Sequence, residues 1–236
     1  MWLCNSSIGR KVVMSVTGIA LVLFLTFHGC MNVVALISAE GYNMICEFLG
    51  ANWYAVAATA ALAALTVIHI VYAFWLTIQN RKARGNNRYE VTEKPKKVEW
   101  ASQNMLVLGI IVVLGLALHL VHFWSKMQLV EILHSGAAIE TINGAEASIH
   151  PANGALLMAF TFSKWYNVVL YLVWFAALWF HLNHGVWSMF QTVGWANDTW
   201  LPRLKCIAKL VSGLIFLGFA VVAVVFYAKS LCCGCC

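Results

Sequence analysis

Charge is what this chain has least of. Asp, Glu, Lys and Arg together make up 10% of its 236 residues, against about a quarter in an average soluble domain. With 62% hydrophobic residues, that scarcity excludes an ordinary soluble fold. Alternation is also missing: the apolar runs do not switch between apolar and polar at every second residue, which excludes a membrane β-barrel. No internal repeat and no low-complexity linker interrupts the chain, so residues 1–236 read as one domain. No small-residue cleavage site follows the first apolar run, which is too long and too aromatic for a secretory signal; it is expected to remain in the mature protein. The eight cysteines show no metal-ligand spacing within the apolar runs. Cys4, Cys30, Cys46 and Cys206 are scattered and read as small apolar residues, and the tail Cys232, Cys233, Cys235 and Cys236 reads as a frayed terminus.

What is present is apolar length. Five runs, at 12–37, 53–79, 103–124, 165–190 and 207–228, each approach or exceed the roughly 20 residues that cross a hydrocarbon core. The expected fold is all-α, an integral membrane bundle of five transmembrane helices. Basic residues set its orientation. Arg10 and Lys11 precede the first run; Arg81, Lys82, Arg84, Arg88, Lys94, Lys96 and Lys97 follow the second; Arg203, Lys205 and Lys209 flank the fifth. The other side carries only Lys126, Lys164 and Lys229, with Glu40, Glu47, Glu131, Glu140 and Glu146. Twelve against three places the N-terminus in the cytoplasm and the chain in a cell's inner membrane. The formal charge of +6 therefore belongs to membrane-flanking loops and is no sign of nucleic-acid binding.

Four of the five runs hold a histidine at hydrocarbon depth: His28, His69, His119 and His181. An ionisable group there costs free energy and is by default functional, and imidazole is a common axial ligand of haem iron. Depth follows from the helical rise of about 1.5 Å per residue. His69 lies 16 residues after Trp53, and His181 lies 16 after Trp165, so both sit about 24 Å below the outer interface. His28 is 17 residues past Lys11 and His119 is 19 past Trp100, which puts both about 26–29 Å from the cytoplasmic edge. The histidines thus form two level pairs, His69 with His181 on the cytoplasmic side and His28 with His119 outside. Two haems, each held between two helices, need that arrangement. His122 and His184 each follow a candidate ligand by three residues, about 4.5 Å off level; they are expected to touch a propionate, a quinone or the ligand's own shell. His134 and His150 read as surface residues. The competing reading of any single histidine is a hydrogen-bonded packing residue; two level pairs on four helices are harder to explain that way. Gly18, Ala73, Gly115, Ala117 and Gly185 would allow close approach of helices or a macrocycle. The fifth run has no histidine and reads as a packing helix.

These residues carry a resemblance. Arg10-Lys11-Val12-Val13-Met14-Ser15-Val16-Thr17-Gly18, then Phe27-His28, resembles the opening of the five-helix dihaem cytochrome b subunits of succinate dehydrogenases and fumarate reductases. His69-Ile70-Val71-Tyr72 and His119-Leu120 are similar to their second and third ligand motifs, and His181-Leu182-Asn183-His184-Gly185-Val186-Trp187-Ser188 resembles the fourth. The similarity covers nearly the whole chain; it departs in the outer loop, 125–164, and in the cysteine tail. The resemblance implies axial ligation of two haems b by His28, His69, His119 and His181, and docking of a flavoprotein and an iron–sulfur subunit on the cytoplasmic face. It also implies electron relay to a membrane quinone of the menaquinone type near the outer haem. In some relatives an acidic residue near the end of the first span serves quinol deprotonation; Glu47 and Glu40 both fall there, and Glu47 is the candidate, with a solvated loop residue as the plain alternative for each. Rival readings are the cytochrome b subunit of a hydrogenase or formate dehydrogenase, and a transporter relaying protons through its histidines. The absence of broken helices and repeats speaks against the transporter.

Overall fold

The computed structural model describes residues 6–50, 52–84, 99–142 and 145–232. Arg88, Lys94, Lys96, Lys97, Cys4 and the tail cysteines Cys233, Cys235 and Cys236 lie outside the described residues. In chain order the elements are α1 (Ser7–Ile37), α2 (Ala39–Phe48), α3 (Trp53–Arg84), α4 (Trp100–Gln103), α5 (Met105–His122), a 3-10 turn (Trp124–Lys126), α6 (Gln128–Ile132), β1 (Ala138–Ile142), β2 (Ala145–Ile149), α7 (Gly154–Phe162), α8 (Trp165–Thr192) and α9 (Trp200–Cys232). Among the described residues five helical stretches are long and apolar enough to cross a membrane: α1, α3, α5 with the turn after it, α8 and α9.

Capping side chains fix several ends. Ser6 accepts from the Gly9 amide and opens α1 five residues before the apolar run begins. Ser38, extended at φ −149°, ends α1 and opens α2 by accepting from the Gly41 amide at 3.0 Å. The Asn197 carboxamide oxygen accepts from the Trp200 amide at 2.8 Å, so α9 starts seven residues before the apolar run at 207. Pro202 is tolerated there because first-turn amides have no helical partner to lose. Hydropathy marks where lipid-compatible side chains run, whereas the helix continues as long as its backbone groups are satisfied.

The long outer loop is folded. After α5 the chain makes the 3-10 turn and α6, then an antiparallel hairpin with Ala138 opposite Ile149 and Ile142 opposite Ala145, then α7. The Asn153 side chain caps α7 by accepting from the Leu156 amide, and it also takes a hydrogen bond from the Asn43 amide group at 3.0 Å, which ties α7 to α2. Gly154 is required there: a Cβ would lie 2.7 Å from Cys46 Sγ and 2.8 Å from Tyr42. Burial pushes the Cys46 thiol up to about 11 and the Tyr42 phenol up as well. Leu157, Met158 and Phe162 of α7 are buried, and α7 packs on α9 and α2.

The core runs along α8 and α9, where Tyr171, Phe175, Leu178, Phe219, Ala223 and Phe226 are buried together. α8 also packs on α1 and α5, and α1 packs on α3, α8 and α9. α3 is the outlier: its principal packing partner is α1, and its apolar window buries nothing. The side chains at one end identify it. The Arg10 guanidinium donates to the Gln79 side chain and lies over Trp75, and Lys205 meets Glu99 at 2.9 Å. With Lys11, Arg81, Lys82, Arg84, Arg203 and Lys209 this is the basic end of the bundle; Lys126, Lys164 and Lys229 lie at the far end.

Candidate functional site

His69, on α3, and His181, on α8, face one another with ring centres 6.5 Å apart and planes at 68°. Both line a cavity of about 560 Å³ between α1, α3, α5 and α8. The cavity lies beside α3, whose principal packing partner is α1. Its wall is apolar in the middle, with Leu21, Val22, Ile110, Val113 and Leu178, and turns polar towards the basic end at Lys11, Thr77, Asn80, Ser188 and Thr192. Two glycines lie beside the imidazoles, where a Cβ would make only ordinary contact. A Cβ on Gly18 would touch His69 Cε1 at 3.7 Å, and one on Gly109 would touch His181 Cε1 at 3.9 Å. Gly185 opens directly on free space. The Nδ1 atom of His69 lies 3.0 Å from the Thr17 hydroxyl, whereas the buried Nδ1 of His181 has no hydrogen-bond partner.

His28, on α1, and His119, on α5, form the second pair, with ring centres 5.8 Å apart and planes at 81°. Aromatic rings surround it. Phe24 stacks on His28 at 5.3 Å and Phe219 of α9 approaches it at 5.8 Å. Phe123, Trp174 and Tyr171 stand 5.3, 5.7 and 6.5 Å from His119. Trp174 joins the two regions, because it also lines the cavity of the first pair. Its indole donates to the Val112 carbonyl at 3.0 Å and lies flat on Gly115, where a Cβ would be only 2.0 Å from the ring.

The pairing expected from depth is the pairing in which the four rings stand. Two imidazoles on one metal, with metal–nitrogen bonds of about 2.0–2.1 Å and roughly 1.1 Å more from each nitrogen to its ring centre, would be about 6.3 Å apart. The basic-end separation of 6.5 Å is close to that distance, and the far-end separation of 5.8 Å is about half an ångström shorter. The basic-end pair adds the space a flat ligand needs, within the 300–1,000 Å³ of ordinary ligand cavities, and an orphaned buried nitrogen on His181. Neither His28 nor His119 lines that cavity; there a macrocycle would have to part the rings of Phe24 and Trp174. Among the described residues no group of three or more His, Cys, Asp or Glu is drawn together, so neither pair is a corner of a larger ligand set.

The neighbouring histidines go elsewhere. His122 stacks on Tyr171 at 5.8 Å and 14°, with its Nδ1 3.3 Å from the phenol oxygen. His184 lines the cavity beside His181 and stands edge-on to Trp187 at 4.9 Å. Lys205 lies over that same Trp187 ring at 4.7 Å and pairs with Glu99. Partial burial pushes the Glu99 carboxyl up, but the Lys205 ammonium outweighs it and holds the group below the usual glutamate range. His134 and His150 are exposed. Glu47 and Glu40 are exposed on α2 and share an open far-end cleft of about 460 Å³ with Asn43 and His150; His28 and His119 do not line it.

Comparison with protein-family models, with curated proteins and with solved structures finds no match, so function is argued from this geometry. Three of its parts were not assigned a role from sequence: the hydroxyl of Thr17, the buried phenol of Tyr171, and Phe219 on a helix read only as packing. Each depends on how a helix is rotated toward its neighbour, and an almost uniformly apolar sequence carries little signal for that.

Proposed function

We propose that the chain is a membrane-anchoring dihaem cytochrome b, the electron-relay subunit of a succinate:quinone oxidoreductase that works as a succinate dehydrogenase or a fumarate reductase. One observation carries the haem reading: four intramembrane histidines on four helices stand as two facing pairs, one of them across an apolar cavity. Haem b bound at each pair would supply reversible one-electron transfer between an iron–sulfur partner and a membrane quinone.

The chain's own residues hold and insulate such groups. His69 and His181 would hold the haem at the basic-end site, with Gly18, Gly109 and Gly185 on the cavity wall beside them. Lys11, Asn80, Ser188 and Thr192, at the polar end of the cavity, suit the carboxylate edge of a haem. His28 and His119 would hold the second haem at the far-end site, among the rings of Phe24, Phe123, Tyr171, Trp174 and Phe219. The orientation follows from charge: the basic end would face the cytoplasm and offer Arg10, Lys11, Arg81 and Arg203 to the flavoprotein and iron–sulfur subunits. A quinone of the menaquinone type would react near the far-end pair, with Glu47, in the open cleft at that end, accepting the quinol proton. Succinate would never touch this chain.

The test is the pyridine haemochrome of the purified chain. About two haems per polypeptide are expected, with a low-spin b-type difference spectrum. A value near zero favours a proton-relaying transporter instead, and a value near one removes the dihaem assignment.

A further inference from the structure

We infer that Thr17 selects the ring nitrogen that His69 presents to the cavity, making Thr17 a positioning residue that tunes the basic-end site and leaves the two imidazoles of that site inequivalent. The tuning rests on the haem reading above; the nitrogen selection does not.

The argument is a count of protons. Thr17 is 3% exposed on α1, and its hydroxyl reaches the Val13 carbonyl at 2.8 Å and the Met14 carbonyl at 3.1 Å. A hydroxyl has one hydrogen and two lone pairs. Carbonyl oxygens can only accept, and the Val13 carbonyl is the shortest of the hydroxyl's three contacts, so we place that hydrogen on α1's own backbone. The third contact, to His69 Nδ1 at 3.0 Å, then has the hydroxyl oxygen accepting, and Nδ1 must carry the proton. A neutral imidazole has a single N–H, so the lone pair lies on Nε2, the atom a metal can bind. In water the opposite tautomer is preferred, so the contact reverses the intrinsic choice. Gly18, the next residue, faces the same ring: a Cβ built there would stand 3.7 Å from Cε1.

His181 has no equivalent. Its Nδ1 is buried with no hydrogen-bond partner among the described residues, so no contact at that nitrogen selects its tautomer as Thr17 does for His69. A ligating imidazole whose other nitrogen donates to an oxygen is a stronger base, which favours the oxidised metal. One helix therefore supplies the preorganised ligand of this pair and another the adaptable one. Removing the Thr17 oxygen should raise the midpoint potential of the basic-end haem and leave the far-end haem unmoved.

The experiment uses the full chain in detergent, with Thr17→Val as the isostere that cannot accept and Thr17→Ser as the conservative variant that can. In ¹⁵N-histidine spectra of haem-free protein, the His69 resonances, identified by their loss in His69→Gln, should report an Nδ1–H tautomer in the wild type and in Thr17→Ser. An Nε2–H tautomer in the wild type overturns the inference, whatever the variants do. In redox titrations of haem-loaded protein, Thr17→Val should shift the oxidised-to-reduced ratio of one haem threefold to tenfold towards reduced at a fixed potential, about 30–59 mV upward for a one-electron couple. Thr17→Ser should restore the wild-type value. Unchanged potentials in Thr17→Val, or equal shifts in Thr17→Val and Thr17→Ser, overturn the tuning role and assign the site to methyl packing. A protein that shows the expected tautomer but binds no haem would overturn the proposed function and leave the Thr17 selection standing.

Discussion

His119 and His122 sit three residues apart on one helix face, as do His181 and His184, and their surroundings separate the members of each cluster. His119 faces His28 and His181 faces His69, while His122 leans on Tyr171 and His184 on Trp187. Replacing His69 or His181 with alanine should therefore halve the haem content by emptying the basic-end site, and should stop electrons arriving from an iron–sulfur donor. His122→Ala should keep both haems and cost about 0.5–1.5 kcal/mol of stacking, read as a lower melting temperature in detergent. His184→Ala should also keep both haems, with a shifted potential at the basic-end site whose cavity it lines. Loss of a haem in His122→Ala but not in His119→Ala would reverse the choice within that cluster.

At the scale of elements, the helices were legible because their apolar runs are long, and the level of each histidine was legible because helical rise is uniform. Trp53 and Trp165 do begin α3 and α8, so the 16-residue offsets to His69 and His181 are true helical distances. Residues 125–164 were not legible as structure. Their elements are only three to nine residues long, and their order comes from contacts such as Asn43 with Asn153 that join distant segments. The apolar run Ala155–Met158 after Asn153 was the signal available for α7. Ser38, extended between α1 and α2, makes α2 a helix of its own, which changes where Glu47 stands: on an open cleft rather than at the end of a membrane span. As the proposed proton acceptor, Glu47 has the exposure needed to pass a proton to solvent. Glu47→Gln should abolish quinol oxidation while haem content and succinate-dependent dye reduction stay at wild-type levels. Full quinol activity in that variant would take Glu47 out of the mechanism and leave the far-end cleft without a role in it.

The whole molecule is polarised along the bundle axis. Eight described basic residues mark one end and three the other, and the basic-end pair stands nearer the face where the partner subunits would dock. The far-end pair lies nine residues from the end of α1 and three from the end of α5. An electron passing from a quinol at the far end to a partner at the basic end would thus cross most of the bundle's length. Trp174 touches both regions, with its indole held by the Val112 carbonyl and by close packing on Gly115. Moving one charge across a membrane potential is worth about 2.3 kcal/mol per 100 mV, so a reaction arranged this way must feel the field. With quinol protons released at the far end and fumarate protons taken up on the cytoplasmic side, quinol-driven fumarate reduction in proteoliposomes of the whole complex should build a potential that slows it. Collapsing that potential with valinomycin and potassium should speed quinol-dependent fumarate reduction, and the same treatment should speed succinate-dependent quinone reduction, which builds a potential of the opposite sign that slows it in turn. Faster turnover in both directions is the signature of charge crossing the bundle. If neither direction responds, the quinone reacts at the basic end or a compensating proton path runs through the protein. A variant whose quinol activity is already lost through Glu47→Gln should show no ionophore effect on its residual dye reduction, because those electrons never traverse the far-end pair.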